Sequence, residues 1–291
     1  VFGTRFEDAV IDQLPNGNRL RTLDGLTYLL KDPHLMGLLA MRHSVSDIWA
    51  MGGKPVSALT MVGVNRTGNS DLEAEEFTQV VKGLEHGAER YRVHLRGGHS
   101  LALEQAVVAV SMEGLVEKSL PKQGARSGDV FVLSGPVGSG LLMAGFQMGL
   151  VSGAELDKWI LLALESLQDA SEHAVRLGAH AMTDVTGFGL AGHLAEMLGE
   201  GATFEWSDTI PAFAGVESLV ASGIESTQAP SNRVYAGLLG DNAPSSIVFD
   251  PQTAGPLLVA LSKEDSIKLL SAWREMGLSP AVIGRLTTKT S

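Results

Sequence analysis

The chain alternates between short apolar runs and longer segments whose apolar residues recur every three or four positions. Pro15-Asn16-Gly17-Asn18 is a strong hairpin signal. It separates a strand-like start, Val1 to Ile11, from a return strand, Arg19 to Leu23, that ends at Asp24. Asp32-Pro33 opens a helix carrying Leu35, Leu38, Leu39, Val45, Ile48 and Trp49, and Gly52-Gly53 followed by Pro55 stops it. Ser57 to Val64 reads as a buried strand. Asp71 to Arg90 reads as an amphipathic helix with Leu72, Phe77, Val80, Val81, Leu84 and Ala88 on one face. Arg92–Leu95 and Ala106–Val116 are expected strands flanking Gly97-Gly98-His99. Polar and turn residues from Gly124 to Asp129 then interrupt two apolar runs.

In the second half, Leu156 to Leu177 predicts one amphipathic helix. An apolar helical pattern starts at Phe188, and Ser262 to Met276 is a helix with a capping-box signal at Ser262 and Asp265 and a stop at Gly277. Ala281 to Leu286 is a final strand. Strands and helices alternate in two similar halves without a fixed short repeat. The expectation is an α+β chain of two α/β-type domains, residues 1–120 and 121–291.

Composition narrows the function classes. The 291 residues are 44% hydrophobic and 19% charged, enough for a full core, and the net charge is −11. Such a balance disfavours nucleic acid or an anionic membrane as partner, and an anionic substrate must arrive with metal ions. No cysteine occurs, so disulfides, thiolate metal sites and a thiol nucleophile are excluded within these residues, which fits a cytoplasmic location. No targeting segment is legible, and a first residue other than Met fits a piece of a longer chain. Phe131 to Val151 runs 21 residues without a charge, long enough on its face to span a bilayer. Pro136, Gln147, two serines and five glycines make it a buried strand, loop and helix instead.

Ala181 to His193 (A-M-T-D-V-T-G-F-G-L-A-G-H) holds the most informative chemistry. Asp184 stands between Thr183 and Thr186, on a Gly-rich turn just before a helix N-terminus. Free N–H groups there favour anions, yet a carboxylate repels phosphate unless a cation lies between them. Mg²⁺ is the cation that pairs carboxylates with nucleotide phosphates. The same residues also suit an Asx turn with a helix cap, and spacing alone leaves both readings open. Asp8, Asp24 and Asp47 likewise sit beside turns or Gly-rich breaks. Asp47 lies on an otherwise apolar helix, where it must be paired, metal-bound or solvent-facing. No Walker loop occurs, so phosphate binding would run through metals. Gly97-Gly98 can offer backbone N–H groups to a phosphate, though glycine pairs are usually turns. His43, His99 and His193 are candidate acid–base groups or ligands, but no H-x-x-x-H pair supports zinc.

T-D-V-T-G-F-G-L-A-G-H-L-A-E-M, S-D-I-W-A-M-G-G-K-P, G-G-H-S and D-P-Q-T-A-G closely resemble motifs of the selenophosphate synthetases (selenide, water dikinases), in the aminoimidazole ribonucleotide synthetase superfamily. The likeness runs through nearly the whole chain. It implies N- and C-terminal domains of that superfamily and a homodimer whose N-terminal strands form a shared β-barrel. It implies ATP with Mg²⁺, and conversion of selenide, ATP and water into selenophosphate, AMP and phosphate. Matched motif by motif, it implies metal ligation by Asp8, Asp24, Asp47 and Asp184. Nucleotide contacts are implied for Thr4, Arg5, Asp24, Asp47, Gly97, Gly98, His99 and Ser100. Either Glu7 or Asp8 can supply the ligand of the paired-acid segment, and Asp8 is preferred.

Departures from the family pattern bear on activity. The family's N-terminal segment with a Cys or selenocysteine and a Lys is not within these residues, so the catalytic residues stay unassigned. His43 replaces a common asparagine beside Arg42, Leu101-Ala102 replace an acid after G-G-H-S, and Pro256 replaces a glycine. Arg42 is expected to neutralise part of the acid cluster. His43 resembles a subtype fused to a pyridine-nucleotide-disulfide oxidoreductase. Two further readings stand beside selenophosphate synthesis: another ATP-dependent kinase or synthetase of the superfamily, and a catalytically weakened domain that binds nucleotide or a partner chain.

Overall fold

The computed structural model describes residues 7–15, 17–198, 201–236 and 243–289. Thr4 and Arg5 therefore lie outside the described residues. The chain divides into two compact units, Asp8–Ser119 and a second one built on the residues from Leu120 onward with Glu7.

The first unit is a five-stranded sheet with two helices. Its strands are β1 (Val10–Leu14), β2 (Gly17–Thr27), β3 (Lys54–Asn65), β4 (His94–Leu103) and β5 (Val107–Val116), in spatial order β1-β2-β5-β3-β4. All neighbours are antiparallel except β3 and β4. Three expectations change here. Among the described residues the first strand is Val10–Leu14, with residues 7–9 outside it, and the expected strand start over residues 1–6 lies outside the described residues. β2 continues past Asp24 to Thr27, so Asp24 lies inside the strand and not at its end. Gly97 to Ser100 lie inside β4 rather than in a loop. A register shift between Ala58 and Thr60, with Gly97 at φ 141°, lets the glycine pair pass through the strand. A Cβ on Gly98 would stand 2.1 Å from the Thr60 carbonyl oxygen, so the close pairing with β3 requires glycine.

Helices α1 (Pro33–Ala50) and α2 (Ser70–Arg90) cover one side of this sheet. Asp32 caps α1 by accepting from the Leu35 N–H at 3.0 Å, as the Asp-Pro pair predicts. A Cβ on Gly37 would lie 2.2 Å from the Val80 carbonyl oxygen, and one on Gly83 2.0 Å from that of His34. The two helices thus meet backbone to backbone. That contact draws α1 into the interior and explains why most of it is buried, Arg42, Ser44 and Ser46 included. The other side of the sheet carries exposed apolar side chains. Register places Leu23, Ser111 and Leu59 in one row on it, and Gly25, Ala109, Met61 and His99 in the next. Leu23 is 72% exposed and Leu59 54%.

The second unit centres on an antiparallel sheet of order β7-β9-β6-β10-β8, formed by β6 (Val130–Leu133), β7 (Ala181–Asp184), β8 (Ala202–Trp206), β9 (Leu257–Leu261) and β10 (Ala281–Lys289). Its helices are α3 (Ser139–Gln147), α4 (Gly153–Ala163), α5 (Gln168–Arg176), α6 (Gly189–Leu198), α7 (Val216–Ala221), α8 (Ala229–Asn232) and α9 (Lys263–Glu275). The single helix expected over 156–177 is two. α4 carries a full capping box from Ser152 and Glu155 and ends near Leu164. The Ser166 hydroxyl then accepts from the Gln168 N–H as α5 begins. The uncharged run 131–151 forms β6, a loop and α3. Among the described residues, no helix is long and apolar enough to cross a membrane.

Candidate metal and nucleotide site

In the first unit, three elements bring acids toward the helix-facing side of the sheet. Alternation along β2 puts Leu20, Thr22 and Asp24 on that side. Asp47 projects from α1, and its Oδ2 accepts the Thr22 hydroxyl at 2.5 Å. Asp8 precedes β1, where the Ala9 N–H meets Met51 Sδ at 3.1 Å and fixes the entry of the chain. Carboxylate oxygens of Asp8 and Asp47 lie within 4.8 Å of each other. Two carboxylates so close, both half-buried, repel unless a cation or proton separates them. Glu7 points elsewhere: its Oε2 accepts the Lys122 N–H at 2.8 Å. That engagement favours Asp8 over Glu7 as a ligand.

Arg42 is 1% exposed and places its guanidinium carbon 4.9 Å from the Trp49 ring centroid. This cation–π contact holds it inside the helix–sheet layer. His43 stands half-buried on α1. His99 and Ser100 are exposed on β4, at the edge of the sheet.

In the second unit, Asp184 is the last residue of β7 and is 1% exposed. Its Oδ2 has no hydrogen-bond partner among the described residues. A buried carboxylate oxygen without a donor carries a full desolvation penalty, and a cation is the ordinary remedy. The donor set fits magnesium, which takes hard carboxylate oxygens. The turn after Asp184 is fixed at several points. The Val185 N–H donates to the Pro256 carbonyl at 2.9 Å, and the Thr186 carbonyl accepts from Gln252 and Gly189 N–H groups, each at 2.9 Å. Gly189, at φ 69°, starts α6 in the left-handed region. A Cβ on Gly255 would fall 1.9 Å from the Val185 carbonyl oxygen. The D-P-Q-T-A-G stretch thus braces the Asp184 turn, and Pro256 still serves through its carbonyl.

The same stretch caps a helix. Asp250 Oδ2 accepts from the Gly140 and Leu141 N–H groups at 3.0 and 3.2 Å, and Gln252 Oε1 from Gly138 and Ser139 N–H groups at 2.8 and 3.1 Å. Gly138, in the left-handed region, has no side chain with which to cap α3. Residues more than a hundred positions downstream do it instead.

Sequence reasoning overlooked Thr22, Asp250 and Gln252 as organising groups. The two-residue step from Thr22 to Asp24 on one strand was the available signal for the first. Asp250 and Gln252 lie in the D-P-Q-T-A-G stretch that carries part of the family resemblance, but the stretch by itself gives neither of them a role.

Residues 126–291 match the AIR synthase related protein, C-terminal domain, and residues 7–116 the AIR synthase related protein, N-terminal domain. The chain is 33% identical over 296 residues to the selenide, water dikinase of Aeromonas salmonicida, covering 98% of this chain and 84% of that protein. It is 32% identical to that of Burkholderia ambifaria, covering 96% and 82%. The fold is similar to the hydrogenase maturation protein HypE in complex with ATP, with TM-score 0.70 and 20% identity, covering 95% of this chain and 79% of that one. The two domain matches and the likeness along nearly its whole length lead to one conclusion: the chain belongs to the AIR synthase related family and, within it, to the selenide, water dikinases.

Proposed function

We infer that the protein makes selenophosphate, AMP and phosphate from selenide, ATP and water. The observation that carries this reading is the near-full-length likeness to selenide, water dikinases, one of them 33% identical. The acids support it. Asp8, Asp24 and Asp47 in the first unit, and Asp184 in the second, are the proposed magnesium ligands. Asp24, Asp47, Gly97, Gly98, His99 and Ser100, with Thr4 and Arg5 outside the described residues, are the proposed nucleotide contacts. Bound magnesium neutralises the triphosphate and supports in-line transfer of its γ-phosphoryl group. The chain's own residues position rather than react: Thr22 orients the Asp47 carboxylate, and the braced turn holds Asp184 at the end of β7. Phosphoryl transfer needs such positioning more than a covalent group.

The test is product analysis by phosphorus NMR of the protein as encoded, supplied with magnesium, ATP and selenide. Selenophosphate and AMP formed in equal amounts, and only with selenide present, are expected. ADP formed with thiamine monophosphate as acceptor, or AMP formation indifferent to selenide, overturns the reading. The cytoplasm is the proposed location, where selenide and ATP are both at hand.

The exposed apolar side of the first sheet supports a homodimer, with a second copy seated on Leu23, Leu59, Met61 and Leu101 and a barrel shared between the two. Burying a charge on that apolar side costs several kcal/mol. Sedimentation is expected to give a dimer for the wild type and a monomer for Leu23→Glu/Leu59→Glu. A wild type that sediments as a monomer at micromolar concentration removes the proposal.

A further inference from the structure

His193 is 4% exposed and sits on α6, yet its imidazole serves the turn before that helix. Side chains on a helix tilt toward its N-terminus, so a residue one turn in can reach back over the preceding loop. His193 does so: the Thr186 N–H donates to Nε2 at 3.1 Å, and the Thr186 hydroxyl stands at the same distance. A nitrogen that accepts a backbone N–H carries no proton, so the imidazole is the Nδ1–H tautomer. Nδ1 faces Glu196 Oε2 at 3.5 Å, and that carboxylate also takes Lys122 Nζ at 3.1 Å. Lys122, Glu196, His193 and Thr186 therefore stand in succession within the second unit, and the last of them is two positions from Asp184. Phe188, with its ring centroid 5.8 Å from that of His193, closes one side.

We propose that His193 is a positioning residue: by accepting the Thr186 N–H it sets the turn that presents Asp184 to magnesium–ATP. The inference rests on the magnesium–ATP reading above and adds a residue to it. Among the described residues, the other backbone bonds of Thr186 are those its carbonyl accepts from the Gln252 and Gly189 N–H groups. Without an acceptor at Nε2, its N–H is orphaned and must turn to find water, which rotates the peptide planes next to Asp184. Gln places an amide oxygen near the Nε2 position, whereas Leu fills the space and accepts nothing.

Calorimetric titration of magnesium–ATP into wild type, His193→Leu and His193→Gln tests this. The Leu variant is expected to bind about tenfold more weakly, and the Gln variant to recover to within about threefold of wild type. Nitrogen NMR of the wild-type imidazole is expected to show a proton on Nδ1 and none on Nε2. Wild-type affinity in the Leu variant, a Gln variant as weak as Leu, or a protonated Nε2 each overturns the inference. Should the Leu variant fail to fold, the Gln titration and the imidazole spectrum still decide. A wild type with no affinity for magnesium–ATP instead sinks the underlying reading, and the two failures are told apart by that control.

Discussion

Replacing Asp184 by Asn is expected to abolish magnesium-dependent ATP binding and leave the fold standing. The amide has the shape of the carboxylate, and the bonds that brace the turn are backbone bonds of Val185 and Thr186, which the substitution does not touch. What is lost is the charge. Removing one partner of a buried charge pair costs roughly 2–5 kcal/mol, or about 30- to 5,000-fold in affinity. The protein without ligand should respond in the opposite direction. Asp184 is 1% exposed and its Oδ2 has no donor among the described residues, so neutralising it removes a desolvation penalty. The expected pattern is a calorimetric signal for magnesium–ATP that disappears, with a melting temperature equal to or above that of wild type. An unchanged affinity at fixed free magnesium rules Asp184 out as a ligand. A collapsed melting temperature would instead make it structural, in line with the Asx-turn reading.

The parts of this arrangement differ in how legible they are along the chain, and the difference is physical. α1 announces itself because both ends are written in rigid chemistry, Asp32-Pro33 at the start and Gly52-Gly53 with Pro55 at the stop. β9 does not: Leu257–Leu261 is wholly apolar and buried on both sides, so it lacks the alternation that tells a strand from a helix. The break between α4 and α5 falls in a stretch whose apolar period continues across it. The Ser166 hydroxyl, bonded to the Gln168 N–H, marks the new start. The glycines of β4 read as a loop because their reason is across the sheet, at the Thr60 carbonyl. Acids were legible as a type, since a carboxylate on an apolar helix or before a helix N-terminus needs an explanation. Their supports were not. The bond from Thr22 to Asp47 and the reach of His193 back to Thr186 depend on which faces meet, and pairing and register settle that.

Asp250 gives the second large expected effect, on stability instead of binding. Its carboxylate accepts the Ser226 hydroxyl at 2.7 Å on Oδ1, and the Gly140 N–H, Leu141 N–H and Gln252 amide on Oδ2. Asp250→Ala strips α3 of its cap and orphans several buried donors, so a loss of about 3 kcal/mol is expected in urea denaturation. Asp250→Asn should stay within about 1 kcal/mol of wild type at neutral pH. Its oxygen can face the three N–H donors while its amide donates to the Ser226 hydroxyl oxygen. The two variants also separate in pH. Burial pushes the Asp250 carboxyl up to about 6, against the four donors that favour the ion. An unfolded aspartate titrates near 3.9, about two units lower, so between about pH 4 and 6 the folded state binds the extra proton. The stability linked to that proton is fully present below the unfolded value and is lost as pH rises through the folded one. At 1.36 kcal/mol per unit this is at most about 3 kcal/mol. Asn carries no such proton. The difference in unfolding free energy, wild type minus Asp250→Asn, should therefore fall from pH 4 to 6 and level off above. A difference that is flat across this range, or that rises, means the four donors outweigh burial and Asp250 stays ionised in the folded protein.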